Sequence, residues 1–325
     1  MENKEIFAIW LCKPGTISMP YLYEVCLCTW QIMNPSYKLV LYTNTREFSF
    51  NLLSKDTTEV RIIDDEFPEL EQETNNIITD ETPEGMRYAQ RSDYIRYTIL
   101  SKLGGIYIDC DLLCYSSIEP LMEKIHNNHN SVCMAYEYTD RICNAFMACL
   151  DDEGKQYFND IITNYQENYV RTSYTFNSIK YLYILNRKYR NIVEVLPLKG
   201  GMFYPNWEHG ANGDLNMLMD EKCELTGYGV HLYNTNPEWK SIRNKIDQTM
   251  FDDNNSSWLC RHLNNCVKEY ISLMTKSKTR DLSKDPLISN ILTNLYGENY
   301  LKQFDLKEEV PENGCSNIHN MVNKE

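Results

Sequence analysis

Two aspartates separated by one residue, Asp109 and Asp111, close the stretch Tyr88–Asp111 (Y-A-Q-R-S-D-Y-I-R-Y-T-I-L-S-K-L-G-G-I-Y-I-D-C-D). Side chains on a strand alternate with a period of two, so both carboxylates are expected on one side. Carboxylates brought together repel each other, and a hard divalent cation between them relieves the repulsion. Upstream, Asp93 and Arg96 stand three apart, which puts them on one helix face. In solvent they would form a surface ion pair worth under ~1 kcal/mol. Turned towards the aspartates, they would grip a ligand beside the cation. The compound pattern, S-D-x-x-R followed after seven residues by G-G-I-Y-I-D-x-D, is far more specific than an isolated Asp-x-Asp.

The elements that must position these groups are legible around them. No Gly or Pro interrupts Arg87 to Leu103, and Ile95, Ile99, Leu100 and Leu103 recur at helical steps. Gly104-Gly105 ends that helix, and Ile106-Tyr107-Ile108 is a buried strand. Cys110, between the aspartates, should face the core. Nearer the N-terminus, Ile6 to Leu11 is an apolar strand that ends close to Trp10, with the turn Pro14-Gly15 after it. Pro20 to Met33 reads as helix, Lys38 to Tyr42 as strand, residues 44–56 as helix and Glu59 to Ile63 as strand. That rhythm predicts a mostly parallel sheet with crossover helices, an α/β fold. The acidic run over 64–85 reads as a solvated loop.

Downstream, Ser117 to Leu121 starts a helix. Ser131 to Tyr136 and Ile142 to Cys149 are strands, 152–168 and 175–190 tyrosine-rich helices, and Ile192 to Leu196 a strand. Tyr228 to Tyr233 is a short strand carrying His231. Further helices are expected over 256–275 and 285–301, the second capped by Asp285 and Pro286, with a loose tail after Glu308.

The net charge of −14 argues against a nucleic-acid partner, whose phosphates need Lys and Arg, and against broad attraction to anionic lipid. An acidic chain still binds an anionic nucleotide where a cation and a few basic groups suffice. No segment approaches the ~20 apolar residues of a membrane span, and the first residues lack the pattern of a signal peptide. Several of the twelve cysteines sit in apolar runs, and no C-x-x-C occurs. All twelve are therefore expected as reduced thiols in a cytoplasmic protein.

The stretch around Asp93 to Asp111 resembles the sugar-binding region of glycosyltransferase family 32. That family holds fungal Golgi mannosyltransferases and bacterial transferases of capsule and surface polysaccharide, and is distantly similar to the large glucosylating toxins. The resemblance is clear over about 85–120 and faint over about 5–240. It implies a Rossmann-like fold of the GT-A type, with a transferase domain over 1–250 and a helical extension over 251–325 packed on it. It also implies Mn²⁺ or Mg²⁺ on Asp109, Asp111 and His231, with Asp93 and Arg96 as catalytic residues beside them. A donor site of Trp10, Asp93, Arg96, Tyr107, Asn144 and Trp239 completes the implied set. Trp10 would serve equally as core filler, Asn144 as a turn residue and His231 as a structural histidine. Glu238 stands where the family has Ser before its Trp, so Trp239 departs from the pattern. Gly200-Gly201-Met202-Phe203-Tyr204-Pro205 is similar to the family's Y-P element, and the loop over 210–216 is a candidate for acceptor contacts.

The activity so implied is transfer of a hexose from a UDP- or GDP-sugar to a glycan hydroxyl in polysaccharide biosynthesis. Anomeric configuration would be retained, with attack from the leaving group's own face. The acceptor would be a glycan or a lipid-linked saccharide, and peripheral membrane association stays open. A metal-dependent phosphohydrolase on the same carboxylates, and a catalytically silent glycan-binding module, are the alternatives.

Overall fold

The computed structural model describes residues 4–50, 53, 58–138, 141–173, 177–178, 181–197, 227–232 and 261–262. Strand β1 (Glu5–Trp10) is apolar on both faces and lies mid-sheet. Ile6 and Ala8 enter one core layer, whereas Phe7 and Ile9 enter the other. Leu39 and Leu41 against Val40 and Tyr42 repeat this division on β2 (Lys38–Thr43), as do Ile106 and Ile108 against Tyr107 on β4 (Gly105–Ile108). Helices α1 (Tyr21–Met33) and α5 (Glu119–Asn127) cover the first face. Helices α4 (Glu84–Leu103), α6 (Asp152–Asn168) and α7 (Tyr181–Lys188) cover the second.

With β3 (Glu59–Ile62), β6 (Val132–Tyr138), β7 (Arg141–Cys149) and β8 (Val193–Leu196), the sheet runs β3-β2-β1-β4-β7-β6-β8. All neighbours pair in parallel except at β7, which runs against both β4 and β6. The expected mostly parallel α/β sheet is therefore present. The chain leaves β1 towards β2 on one side and returns as β4 on the other. In sheets of this kind such a reversal marks where ligands bind, at the carboxyl ends of the strands, here β1 and β4. A second sheet pairs β5 (Leu112–Cys114) with β9 (Gly229–His231).

Two expectations change. Among residues 44–50 there is no helix. Asn44 bonds both the amide and the carbonyl of Cys12, and buried Phe48 packs edge-on against Phe50, which holds the segment irregular. The acidic stretch after residue 62 is helical, as α2 (Ile63–Glu66) and α3 (Leu70–Ile77). Ile63, Phe67 and Leu70 recur at helical spacing and are buried, while the acids crowd first turns, where the helix dipole favours them. Of the helix expected over 175–190, Asn177 and Ser178 are π-helical and α7 covers Tyr181–Lys188. The 200–205 element, the 210–216 loop, Trp239, the helices over 256–275 and 285–301, except Arg261 and His262, and the tail lie outside the described residues. So does most of the 251–325 extension.

Helix α6 shows how tightly one layer sits on the sheet. Its N-cap Asp151 accepts from the Gly154 amide at 3.0 Å. A Cβ at Gly154 would lie 2.7 Å from the Ser131 carbonyl oxygen and 3.0 Å from Cys149 Sγ. Alanine normally favours a helix over glycine by about 1 kcal/mol. Here the clash with backbone outweighs that gain, and Gly154→Ala should destabilise by about 1–3 kcal/mol. Denaturant unfolding measures it, and a stabilised variant would contradict the packing.

Candidate active site

Helix α4 ends at Gly104, whose φ of 69° suits a residue without Cβ, and the chain enters β4 directly. Strand β4 stops at Ile108. Asp109, Cys110 and Asp111 then form a turn, closed by Leu112 N–H donating to the Asp109 carbonyl at 3.1 Å. The aspartates thus converge across a turn rather than by strand alternation. Cys110 faces inward as expected and donates from Sγ to the Ile9 carbonyl at 3.4 Å. The eight described cysteines are buried free thiols.

After the turn, β5 pairs with β9, and Leu112 lies opposite His231. His231 Nε2 sits 3.1 Å from Asp111 Oδ1 and 3.6 Å from Asp109 Oδ2. One ligand atom from each of the three residues falls within 4.8 Å of the other two. Burial works against the imidazolium, yet the adjacent Asp111 carboxylate prevails and holds the His231 pKa well above its ordinary value. The ring stands beside two carboxylates, where a cation would balance their charge. Two carboxylate oxygens and one nitrogen suit a hard or borderline divalent ion, so the residues fit the expected metal.

Behind Asp109 lies a buried polar group. Arg96 Nη1 is 3.0 Å from Asp109 Oδ1 and also donates to the Asn144 carbonyl at 2.9 Å. Its Nη2 is 3.1 Å from Asp93 Oδ1 and donates to Ser92 Oγ at 3.2 Å, while Nε donates to the Ser92 carbonyl. Three of its N–H groups, one on each nitrogen, donate within the protein, and two carboxylates flank it as ion pairs. The guanidinium also lies 4.3 Å above the Tyr107 ring, whose hydroxyl donates to Asp109 Oδ1. Asn144 Nδ2 donates to Asp93 Oδ1 at 2.8 Å and lies 3.3 Å from the Tyr97 hydroxyl. Asp93 and Arg96 are 7% and 5% exposed, so they are not a surface pair. Burial pushes the Asp93 pKa up to about 6, with Asp109 adding to it and Arg96 and Asn144 opposing.

Asp93, Arg96, Tyr107, Asp109, Asp111, Asn144 and His231 thus form one connected group. Trp10 ends the neighbouring strand, its indole edge-on to Tyr23 at 5.3 Å. Trp239 is outside the described residues. Sequence reasoning missed Tyr97 and Ser92. Ser92 was findable, standing four residues before Arg96 on one helix face.

Residues 23–131 match the family described as "Glycosyltransferase sugar-binding region containing DXD motif". The DXD here is Asp109-Cys110-Asp111. The matched segment carries Asp93, Arg96, Asp109 and Asp111. Over 218 residues the chain is 25% identical to "Subversion of eukaryotic traffic protein A" of Legionella pneumophila, covering 62% of this chain and 31% of that protein. It therefore spans about a third of that relative's length. Among solved structures it is similar to "PaToxG Glycosyltransferase", at 16% identity and TM-score 0.42, over 67% of this chain and 76% of that one. It is also similar to the UDP-bound glycosyltransferase domain from the YGT toxin, at 12% identity and TM-score 0.43, over 85% and 97%. Likenesses this distant add nothing to the topology described above. No described helix is long and apolar enough to cross a membrane.

Proposed function

We propose that this chain is a glycosyltransferase that moves a hexose from a UDP- or GDP-sugar to a hydroxyl of a glycan or lipid-linked saccharide in surface polysaccharide assembly. The observation that carries this is the meeting of Asp109, Asp111 and His231 beside the buried Asp93–Arg96–Asn144 group. Asp109, Asp111 and His231 would hold Mn²⁺ or Mg²⁺. That ion supplies Lewis-acid stabilisation of charge developing on the leaving diphosphate.

The chain's own residues do the rest. Asp109 divides its work: Oδ1 is fixed by Arg96 and Tyr107, and Oδ2 faces His231. Arg96, buried and ion-paired to both Asp93 and Asp109, acts by fixing two carboxylates rather than by touching sugar. Direct grip on the donor falls to Asp93, whose Oδ1 takes the bonds described and whose Oδ2 remains for a sugar hydroxyl. Asn144 lies beside it. Retention of configuration is what the family resemblance implies, and with no covalent nucleophile assigned among the described site residues, the retaining route proposed is attack from the leaving group's own face. Trp10 and Trp239 are proposed donor contacts, Trp10 at the carboxyl end of β1, where the base would lie.

The test is incubation with a panel of UDP- and GDP-sugars and Mn²⁺, with and without EDTA, following nucleoside diphosphate release. One donor should be consumed, and EDTA should remove at least ~90% of turnover if the ion stabilises the leaving group by several kcal/mol. Phosphomonoester cleavage without sugar-nucleotide consumption would replace this reading with a phosphohydrolase. Glycan binding without any turnover would replace it with a silent module. Full turnover in EDTA would remove the metal from the mechanism.

A further inference from the structure

Strand β5 is three residues long and has a strand partner on one edge only among the described residues. Backbone groups of successive residues point to opposite edges. On the β9 edge, the Asp111 carbonyl accepts from Leu232 at 2.9 Å and the Tyr115 amide donates to Tyr228 at 3.0 Å. On the other edge, side chains stand where a third strand would be. Trp30 Nε1–H donates to the Leu112 carbonyl at 2.6 Å. The Cys114 amide donates to Thr29 Oγ1 at 2.9 Å. His262 Nε2 meets the Cys114 carbonyl at 2.7 Å, and since a carbonyl only accepts, that nitrogen carries the proton.

Trp30 and Thr29 come from α1 and are fully buried. His262 is also buried, packs edge-on against Tyr115 at 5.9 Å, and lies far beyond the matched residues 23–131. Burial pushes its imidazole down to about 4, so the ring is neutral near pH 7 and spends its one N–H on this carbonyl.

We propose that Trp30, Thr29 and His262 are positioning residues for the Asp109–Asp111–His231 site, acting through the outer edge of β5. The strand begins directly after Asp111 and pairs Leu112 with His231, so any slip of β5 moves both ligands. A part of the chain outside the sugar-binding region thereby sets the geometry of the motif inside it. The proposal rests on the cation-holding role given above.

The experiment is Mn²⁺ affinity of the full chain without donor, from free-ion titration by electron paramagnetic resonance. Variants are Trp30→Phe, which keeps a ring against Phe146 and removes the N–H, with His262→Ala and His262→Gln. Gly154→Ala serves as a destabilised control remote from the site. All are compared at a temperature where circular dichroism shows each folded. Trp30→Phe and His262→Ala should weaken Mn²⁺ binding roughly 10-fold, the usual effect of losing an outer hydrogen bond. His262→Gln, whose amide still donates, should recover most of the loss, and Gly154→Ala should bind like wild type despite a lower Tm. Unchanged affinity in both Trp30→Phe and His262→Ala would overturn the proposal. So would an equal loss in Gly154→Ala, which would make affinity follow stability alone. Wild type that binds no Mn²⁺ would overturn the cation role and this proposal together, whereas unmoved variants of a binding wild type overturn this proposal only.

Discussion

Asp111→Asn is expected to lower donor turnover by at least ~10³-fold, about 4 kcal/mol of transition-state stabilisation. Its carboxylate is the nearer partner of His231 at 3.1 Å, and losing it removes one ligand and most of the field that keeps that imidazole charged. Asp109→Asn should lose as much activity by a second route. Its Oδ1 also receives Arg96 and Tyr107, so the amide disturbs the buried group as well as the ion. The two variants should therefore differ in stability more than in activity. Asp111→Asn should unfold within ~1 kcal/mol of wild type, whereas Asp109→Asn should lose about 2–3 kcal/mol, because Arg96 keeps its burial and loses half its compensation. The measurement is donor hydrolysis at saturating Mn²⁺ beside urea unfolding. Turnover within 10-fold of wild type in either variant would remove both aspartates from the chemistry.

The second large effect concerns Arg96. Arg96→Ala leaves the buried Asp93 and the half-buried Asp109 without their shared cation. A buried pair broken from one side typically costs about 3–5 kcal/mol. Because Asp109 then keeps only the Tyr107 hydroxyl on Oδ1, kcat/KM should also fall roughly 30- to 1000-fold, about 2–4 kcal/mol. Arg96→Lys should rescue little, since one ammonium cannot serve Asp93, Asp109, Ser92 and the Asn144 carbonyl together. Asp93→Ala alone leaves Arg96 its bond to Asp109 and should cost less. In the double variant the losses should fall short of their sum by about 1–3 kcal/mol, the mark of groups acting as a unit. Arg96→Ala that unfolds within ~1 kcal/mol of wild type and turns over normally would return the pair to a passive role.

What was legible in the chain was what is written locally. The α4 helix, its glycine stop and β4 follow from periodicity and from the residues that cannot continue a helix, and they suffice to bring Asp93 and Arg96 towards Asp109. The turn at 109–112 was not legible, because I-D-C-D continues a strand pattern and only the bond from Leu112 to Asp109 bends it. Strand β5 was too short to show a period and is defined by β9, far along the chain. The hold on Arg96 depends in part on the backbone of Asn144, which no residue pattern reveals. The acidic run after β3 misled by composition. Its charges mark a solvated face, while Ile63, Phe67 and Leu70 beneath them carry the helical spacing.

The pairing of Asp111 with His231 also ties together points 120 residues apart. Closing a flexible chain of that span costs about 4 kcal/mol in lost conformational freedom. An ion shared by the two ends would act as a removable cross-link, stabilising the closed form by mass action as its concentration exceeds its Kd. During synthesis the strands through β8 are complete before His231 leaves the ribosome. A polypeptide ending before β9 would carry every strand of the main sheet and lack one of the three groups proposed to hold the ion.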